Sequence, residues 1–169
     1  MNQLVLFRKA GPDDAGQIWQ IILQAKEQMR LLGRCQWQDG YPAFENITGD
    51  IENGHGYVLS ENGHVIAYGA VIFDREPAYN SIDGNWLTDQ PYVVVHRLAV
   101  ADKVKQRGIG TLFMQEVEKL SRSKGIKSFR VDTNFDNLFM QKMLSKLEFT
   151  YCGEIVYVSN KRMAYEKCL

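Results

Sequence analysis

Between His96 and Phe113 the chain reads HRLAVADKVKQRGIGTLF: an apolar run, three cations, two glycines one residue apart, then a helical pattern. Lys103, Lys105 and Arg107 place positive charge beside Gly108 and Gly110. A glycine has no Cβ, so the backbone bends sharply there and can approach a ligand closely. The first N–H groups of a helix have no partner within it and together carry roughly half a positive charge. A strand, a glycine-bearing turn and a helix start flanked by cations therefore form a cradle for a phosphate or diphosphate. The plainer reading is a strand-to-helix turn with solvated charges. Two nucleotide readings fail on particular residues. A P-loop wants a lysine followed by Ser or Thr, and here Thr111 follows Gly110 directly. A dinucleotide fingerprint wants a third glycine where Phe113 stands.

The elements that must hold this turn can be read from periodicity. Leu4–Ala10 reads as a strand, and GPDD after it as a turn with Asp13 or Asp14 as the capping oxygen. Ile18, Ile22, Ala25, Met29 and Leu32 then mark one face of a helix. Arg34–Gly54 has no clean period and reads as a loop with a short helix near Phe44–Glu52. Tyr57–Phe73 holds two β-rich runs around Glu61-Asn62-Gly63, a strong hairpin signal. Asp74–Gln90 is a long polar excursion of the kind that is functional or mobile. Tyr92–Val100 is a strand whose consecutive Val93, Val94 and Val95 imply burial on both faces. Ile109, Phe113, Val117 and Leu120 line the next helix, which Lys124-Gly125 closes. Lys127–Thr133 is a strand. Asp136 is the expected N-cap of a helix with Met140, Leu144 and Leu147 on one face. Two strands around Ser159-Asn160-Lys161 end the chain. The order predicts one α/β domain over residues 1–169, with a mixed, mostly antiparallel sheet of about seven strands.

Composition narrows the function. Lys+Arg equals Asp+Glu at 20 each, which argues against a nucleic-acid partner although the opening turn is locally basic. Three widely spaced cysteines, Cys35, Cys152 and Cys168, form neither a disulfide framework nor a metal pattern. They fit reduced thiols in a cytoplasmic protein. No apolar run is long enough for a signal core or a membrane span, so no membrane partner is expected.

The segment LAVADKVKQRGIGTLFM resembles the acetyl-CoA binding motif of the GNAT acetyltransferase superfamily. Leu98-Ala99-Val100 and Lys105-Gln106-Arg107-Gly108-Ile109-Gly110 take the motif's places, with Lys105 where arginine or glutamine is usual. Counting back from Phe149, Asn137 matches the next element of the family. Met140, Leu144 and Glu148 stand where that element has Ala, Tyr and Gly. The motifs cover about Tyr92 to Phe149, and the order of elements fits from end to end.

The resemblance implies that the diphosphate of acetyl-CoA lies on the amides of Gln106 to Thr111. It implies that the pantetheine arm runs between two splayed parallel strands, here Val93–Val100 and Lys127–Thr133. Leu98 and Val100 would bond the arm through their backbone, and Asn137 through its side-chain amide. The chemistry implied is direct attack of an amine on the thioester, with the N–H of Leu98 or Ala99 facing the developing oxyanion. No covalent enzyme intermediate is needed, so Cys152 reads as a small buried residue. A free alkylamine has a pKa near ~10.4, so a base helps. H-x-L-A-V resembles the arylalkylamine branch, which makes His96 the candidate; as residues 96 and 98 share one side of a strand, His96 would point where Leu98 does. A packed strand histidine is the competing reading. With Leu144 in the place of the family's tyrosine, Tyr151 is the candidate donor to the leaving thiol. The acceptor would meet Trp37, Asp39 and Tyr41 of QWQDGYP, where aromatics and one carboxylate suit a cationic or aromatic amine. Glu76, Tyr79 and Trp86 have weaker claims. The resemblance thus implies an N-acetyltransferase acting on a small amine, amino acid or peptide N-terminus, with a homodimer in keeping. A non-catalytic acyl-CoA binder or sensor is the alternative.

Overall fold

A computed structural model of the chain describes residues 4–157 and 160–169. The elements are β1 (Val5–Lys9), α1 (Ala15–Leu31), α2 (Phe44–Glu52), β2 (Gly56–Glu61), β3 (His64–Ile72), β4 (Asp83–Gly84), β5 (Tyr92–Val100), α3 (Ile109–Ser123), β6 (Ser128–Thr133), α4 (Leu138–Lys146), β7 (Thr150–Tyr157) and β8 (Asn160–Cys168). The chain forms two compact units, each made of two segments. The first comprises Met1–Val71 and His96–Glu116, the second Ile72–Val95 and Val117–Leu169.

The first unit carries the strand order β1-β2-β3-β5. β1 and β2 pair antiparallel, as do β2 and β3. Asn62 and Gly63 turn the β2–β3 hairpin with φ of 51° and 78°, the two positive values that match a tight hairpin to strand twist. In α1 the buried side chains are Ala15, Ile18, Ile21 and Ile22. The expected stripe holds at its N-terminal end, but Leu32 is exposed beyond the helix. Asp14 does not cap α1 through its side chain. Its carboxylate instead accepts from the Gly11 amide (2.8 Å) and from Arg8 Nη1 and Nη2 (2.7 and 2.9 Å). Core side chains of this unit include Ile18, Val58, Ile66, Phe113 and Met114.

The second unit carries the order β5-β6-β8-β7-β4. β5 runs parallel to β6 through Tyr92↔Ser128, Val93↔Phe129 and Val94↔Arg130. β6–β8, β7–β8 and β4–β7 are antiparallel. The valines 93–95 are buried as expected. β4 brings the strands to eight rather than about seven. It has only two residues and lies so close to β7 that a Cβ on Gly84 would come within 2.1 Å of the Cys152 carbonyl oxygen. Gly84 and the facing Gly153 permit that approach, and a two-residue strand has no period to read. Asn137, not Asp136, caps α4, its Oδ1 accepting from Met140 N at 3.1 Å. Of the expected α4 face Leu144 and Leu147 are buried and Met140 partly so, with Met143 the further buried side chain. At the final hairpin, Asn160 and Lys161 begin β8, and Ser159 lies outside the described residues.

The 74–90 excursion is packed rather than open. Tyr79 is 1% exposed and clusters with Tyr92, Val94, Ile155 and Ala164. Trp86 donates Nε1–H to the Tyr79 carbonyl at 2.9 Å. The Arg130 guanidinium lies 4.2 Å from the ring centroids of both Trp86 and Tyr92.

Candidate active site

The expected cradle lies in the first unit, between the end of β5 and the start of α3. Ala101 donates to the Ile66 carbonyl, which ties the exit of β5 to β3. A short 3-10 turn, Asp102–Val104, follows and buries Val104. The backbone then takes the left-handed conformation at Gln106 (φ 67°) and again at Gly108 (φ 72°). The first α-type bond of α3 runs from the Leu112 amide to the Gly108 carbonyl. The amides of Ile109, Gly110 and Thr111 precede it, so they have no partner within the helix. Gly108 is exposed, and a Cβ built on it would have nothing within 4 Å. Ile109 and Phe113 point into the core and fix the helix start. Unpartnered amides of a helix start beside an exposed glycine fit a diphosphate.

The cations of this turn are less available than their sequence implies. Arg107 forms a two-point pair with Glu61, Nη2 to Oε1 at 2.7 Å and Nη1 to Oε2 at 3.2 Å. Lys105 pairs with Asp102 at 2.6 Å. The Arg107 hydrogen bonds, with the charges of Arg107 and Lys103, hold the Glu61 carboxyl below the usual range. Two of the three cations are thus paired with carboxylates, so the positive charge at this turn is smaller than the sequence implies.

His96, Leu98, Ala99 and Val100 lie on β5 just before the cradle, with Ala99 buried and the others partly buried. Between His96 and Leu98, Arg97 is left-handed at φ 57°. A strand alternates its side chains only while its residues are extended. The expectation that His96 and Leu98 share a side assumed an extended residue between them, and Arg97 is not extended. Arg97 itself was not singled out by the sequence. Its Nε and Nη2 donate to Asp50 at 3.0 and 2.5 Å, and its Nη1 donates to the Tyr41 hydroxyl at 2.7 Å. Tyr68 donates its hydroxyl to the same Asp50 carboxylate. Burial alone would lower Arg97, yet Asp50 and Tyr41 hold it above its ordinary value. Burial and the Asp50 charge push the Tyr68 phenol well up.

The segment expected to meet the acceptor reaches this cluster through Tyr41. Tyr41 meets Arg97; Trp37 is half-buried with φ 62°, and Asp39 is exposed. Gln38 ties the segment to α1 through Nε2 to the Lys26 carbonyl at 2.9 Å. Gln36 Oε1 is buried without a donor among the described residues.

The remaining candidates lie in the second unit. Asn137 spends its side-chain oxygen on the α4 cap. Tyr151 is 49% exposed on β7, edge-on to Tyr165. Leu144 is fully buried, so the place of the family's tyrosine is a core position here. Cys152 is buried, and burial pushes its thiol up, opposite to what a nucleophile needs. Asp132 gathers Tyr79 Oη (2.7 Å), Tyr157 Oη (3.1 Å) and Arg162 Nη1 (3.3 Å). A cleft of about 510 Å³ in this unit is lined by Phe73, Tyr79, Trp86, Tyr92 and Arg130 among others, and by none of the cradle residues. Among the described residues no group of His, Cys, Asp and Glu could hold a metal ion. No helix among them is long and apolar enough to cross a membrane.

The model of the Acetyltransferase (GNAT) family matches residues 18–149. The chain belongs to the GNAT acetyltransferase family. A solved GNAT-family acetyltransferase from Streptococcus agalactiae is 34% identical, each chain covered to 99%, with a TM-score of 0.89. A GNAT-family acetyltransferase from Listeria monocytogenes is 19% identical over 98% of this chain and 95% of that one, with a TM-score of 0.78. A ribosomal-protein-alanine N-acetyltransferase from Brucella melitensis shares the fold at 16% identity, TM-score 0.70, over 97% and 99% of the two chains. No curated protein matches the chain. GNAT membership makes acetyl transfer the reaction class.

Proposed function

We propose that the chain is a single-domain N-acetyltransferase that uses acetyl-CoA and acetylates a small amine, an amino acid or a peptide N-terminus. The observation that carries the reading is the exposed turn of residues 106–108, left-handed at Gln106 and Gly108, that leads into the unpartnered first amides of α3. Acetyl-CoA supplies an acetyl group as a thioester that an amine attacks directly. The amides of Ile109, Gly110 and Thr111 bind the diphosphate, with Lys105 and Arg107 adding charge that their carboxylate partners moderate. Leu98 and Val100 hold the pantetheine arm by their backbone, the Leu98 or Ala99 N–H faces the oxyanion, and Asn137 contributes its side-chain NH₂. His96 takes the proton from the amine, directly or through a water. Tyr151 gives its phenolic proton to the leaving thiolate of coenzyme A, which departs as the thiol. Trp37, Asp39 and Tyr41 receive the amine, where a carboxylate and two rings favour a cationic group.

Gly110→Asp tests the cradle. The substitution puts a carboxylate in the first turn of α3, which suits the helix, but opposes a bound diphosphate. Calorimetry with coenzyme A is expected to show binding lost while the protein stays folded; unchanged affinity would overturn the reading. His96→Ala is expected to lower turnover most near neutral pH and less as pH rises, followed as thiol release over a panel of amines. An unaltered pH–rate profile would remove His96 as the base.

A further inference from the structure

Asp50 lies on α2 with its side chain 8% exposed, 46 residues before the catalytic strand segment that starts at His96. It accepts from Arg97 Nε and Nη2 and from Tyr68 Oη. Three donors, two of them the arms of one guanidinium fork, leave the carboxylate little freedom to turn. The fork in turn pins the side chain of a residue whose backbone is left-handed, a conformation that strains a non-glycine residue and persists only where the surroundings impose it. That residue stands between His96 and Leu98. The remaining arm, Nη1, reaches the hydroxyl of Tyr41, which is 42% exposed on the segment assigned to the acceptor.

We propose that Asp50 is a positioning residue for acetyl transfer, acting through Arg97. It holds the kink of β5 that aims the Leu98 and Ala99 amides and His96, and through Arg97 Nη1 it holds Tyr41 and the acceptor segment on the same strand. One buried carboxylate thus sets two things together: the backbone that meets the thioester oxygen and the side of the site that meets the amine. Tyr68 supports it from β3 by donating to Oδ2, the oxygen that also accepts from Arg97 Nε. The inference rests on the N-acetyltransferase reading, because it assigns the kink a value only if β5 lies along the thioester.

The test uses the full chain, an amine that the wild type acetylates, steady-state kinetics and calorimetry with coenzyme A. Asp50→Asn keeps the size of the side chain and removes its charge. Arg97→Lys keeps the charge and removes the fork. Each is expected to lower kcat by about tenfold or more, as misplacement of reacting groups does, while the affinity for coenzyme A stays within about twofold. The double variant is expected to fall no further than either single one, since both act on one unit. Tyr41→Phe is expected to raise KM for the amine severalfold and leave KM for acetyl-CoA unchanged. Unchanged kcat in Asp50→Asn and Arg97→Lys overturns the inference. So does an additive double variant, or a loss of coenzyme A affinity in step with kcat, which marks a merely structural lock. A wild type that binds coenzyme A but acetylates no amine overturns the enzyme reading and this inference with it, and that failure is seen before any variant is made.

Discussion

Arg97 and Glu148 are left-handed at nearly the same angle, φ 57° and 67°, one in each compact unit, and they are held in opposite ways. Glu148 follows α4, in a place where its amide bonds the Ser145 carbonyl and the next amide bonds that of Leu144. A helix end commonly imposes this geometry, and glycine is the residue that suits it. The side chain of Glu148 is exposed, so the fold tolerates the strain there without using the carboxylate. Arg97 stands inside a strand, and its guanidinium is locked by Asp50, Tyr41 and, through Asp50, Tyr68. Strain tolerated at an element's end is local economy. Strain imposed within a strand by a buried ion pair marks a place where the direction of the backbone matters.

The largest effect that can break this contrast is expected from Asp50→Ala. It leaves the Arg97 charge buried without its partner, a change that costs about 3–5 kcal/mol, readable as a fall in the urea midpoint. A loss below about 1 kcal/mol would put the pair in the class of surface ion pairs and remove the contrast. Arg97→Gly comes next. Glycine relieves the backbone but strands Asp50, so the net outcome is a loss of about 2 kcal/mol. If Arg97→Gly stabilised the protein, Arg97 and Glu148 would be alike after all.

The second unit has its own buried lock, and pH sharpens the comparison. Glu166 is fully buried. Burial alone would raise its carboxyl, but Ser128, Thr88 and the Leu87 amide, with the Arg130 charge, hold it below the usual range. A carboxyl lowered on folding contributes stability above its unfolded value, near ~4.3, and loses it as pH falls through the folded value. Urea midpoints measured from pH 7 down to pH 3 are therefore expected to fall, and Glu166→Gln to flatten that fall while costing stability at pH 7. An unchanged slope would show that Glu166 gains nothing from its partners. Smallest is Glu148→Gly, expected to raise stability by about 0.5–1 kcal/mol through the relieved angle, with no effect on coenzyme A affinity. A destabilising Glu148→Gly would mean that the carboxylate is used.

Much of this was legible in local pattern. Asn62-Gly63 marked its hairpin, Phe44–Glu52 its helix, and Gly108 with Gly110 the turn into α3, because each signal lies within a few neighbouring residues. The Asp50–Arg97 lock was not legible: its members are 47 residues apart, and a buried aspartate on a nine-residue helix carries no periodic sign of its partner. The exchange of Asp136 for Asn137 as cap reflects two acceptors one residue apart, either of which suits the position. The pairing of Arg107 with Glu61 was hidden for a further reason. Counting cations along a loop ignores the carboxylates that the end of a neighbouring strand brings to it.

The three cysteines differ in a way that lets the chain report on its own integrity. Cys35 and Cys168 are exposed, while Cys152 is buried on β7 with its thiol pushed up. A chromogenic disulfide reagent should consume the first pair promptly and reach the third only when β7 comes away, so the slow equivalent times the opening of that region without any added label.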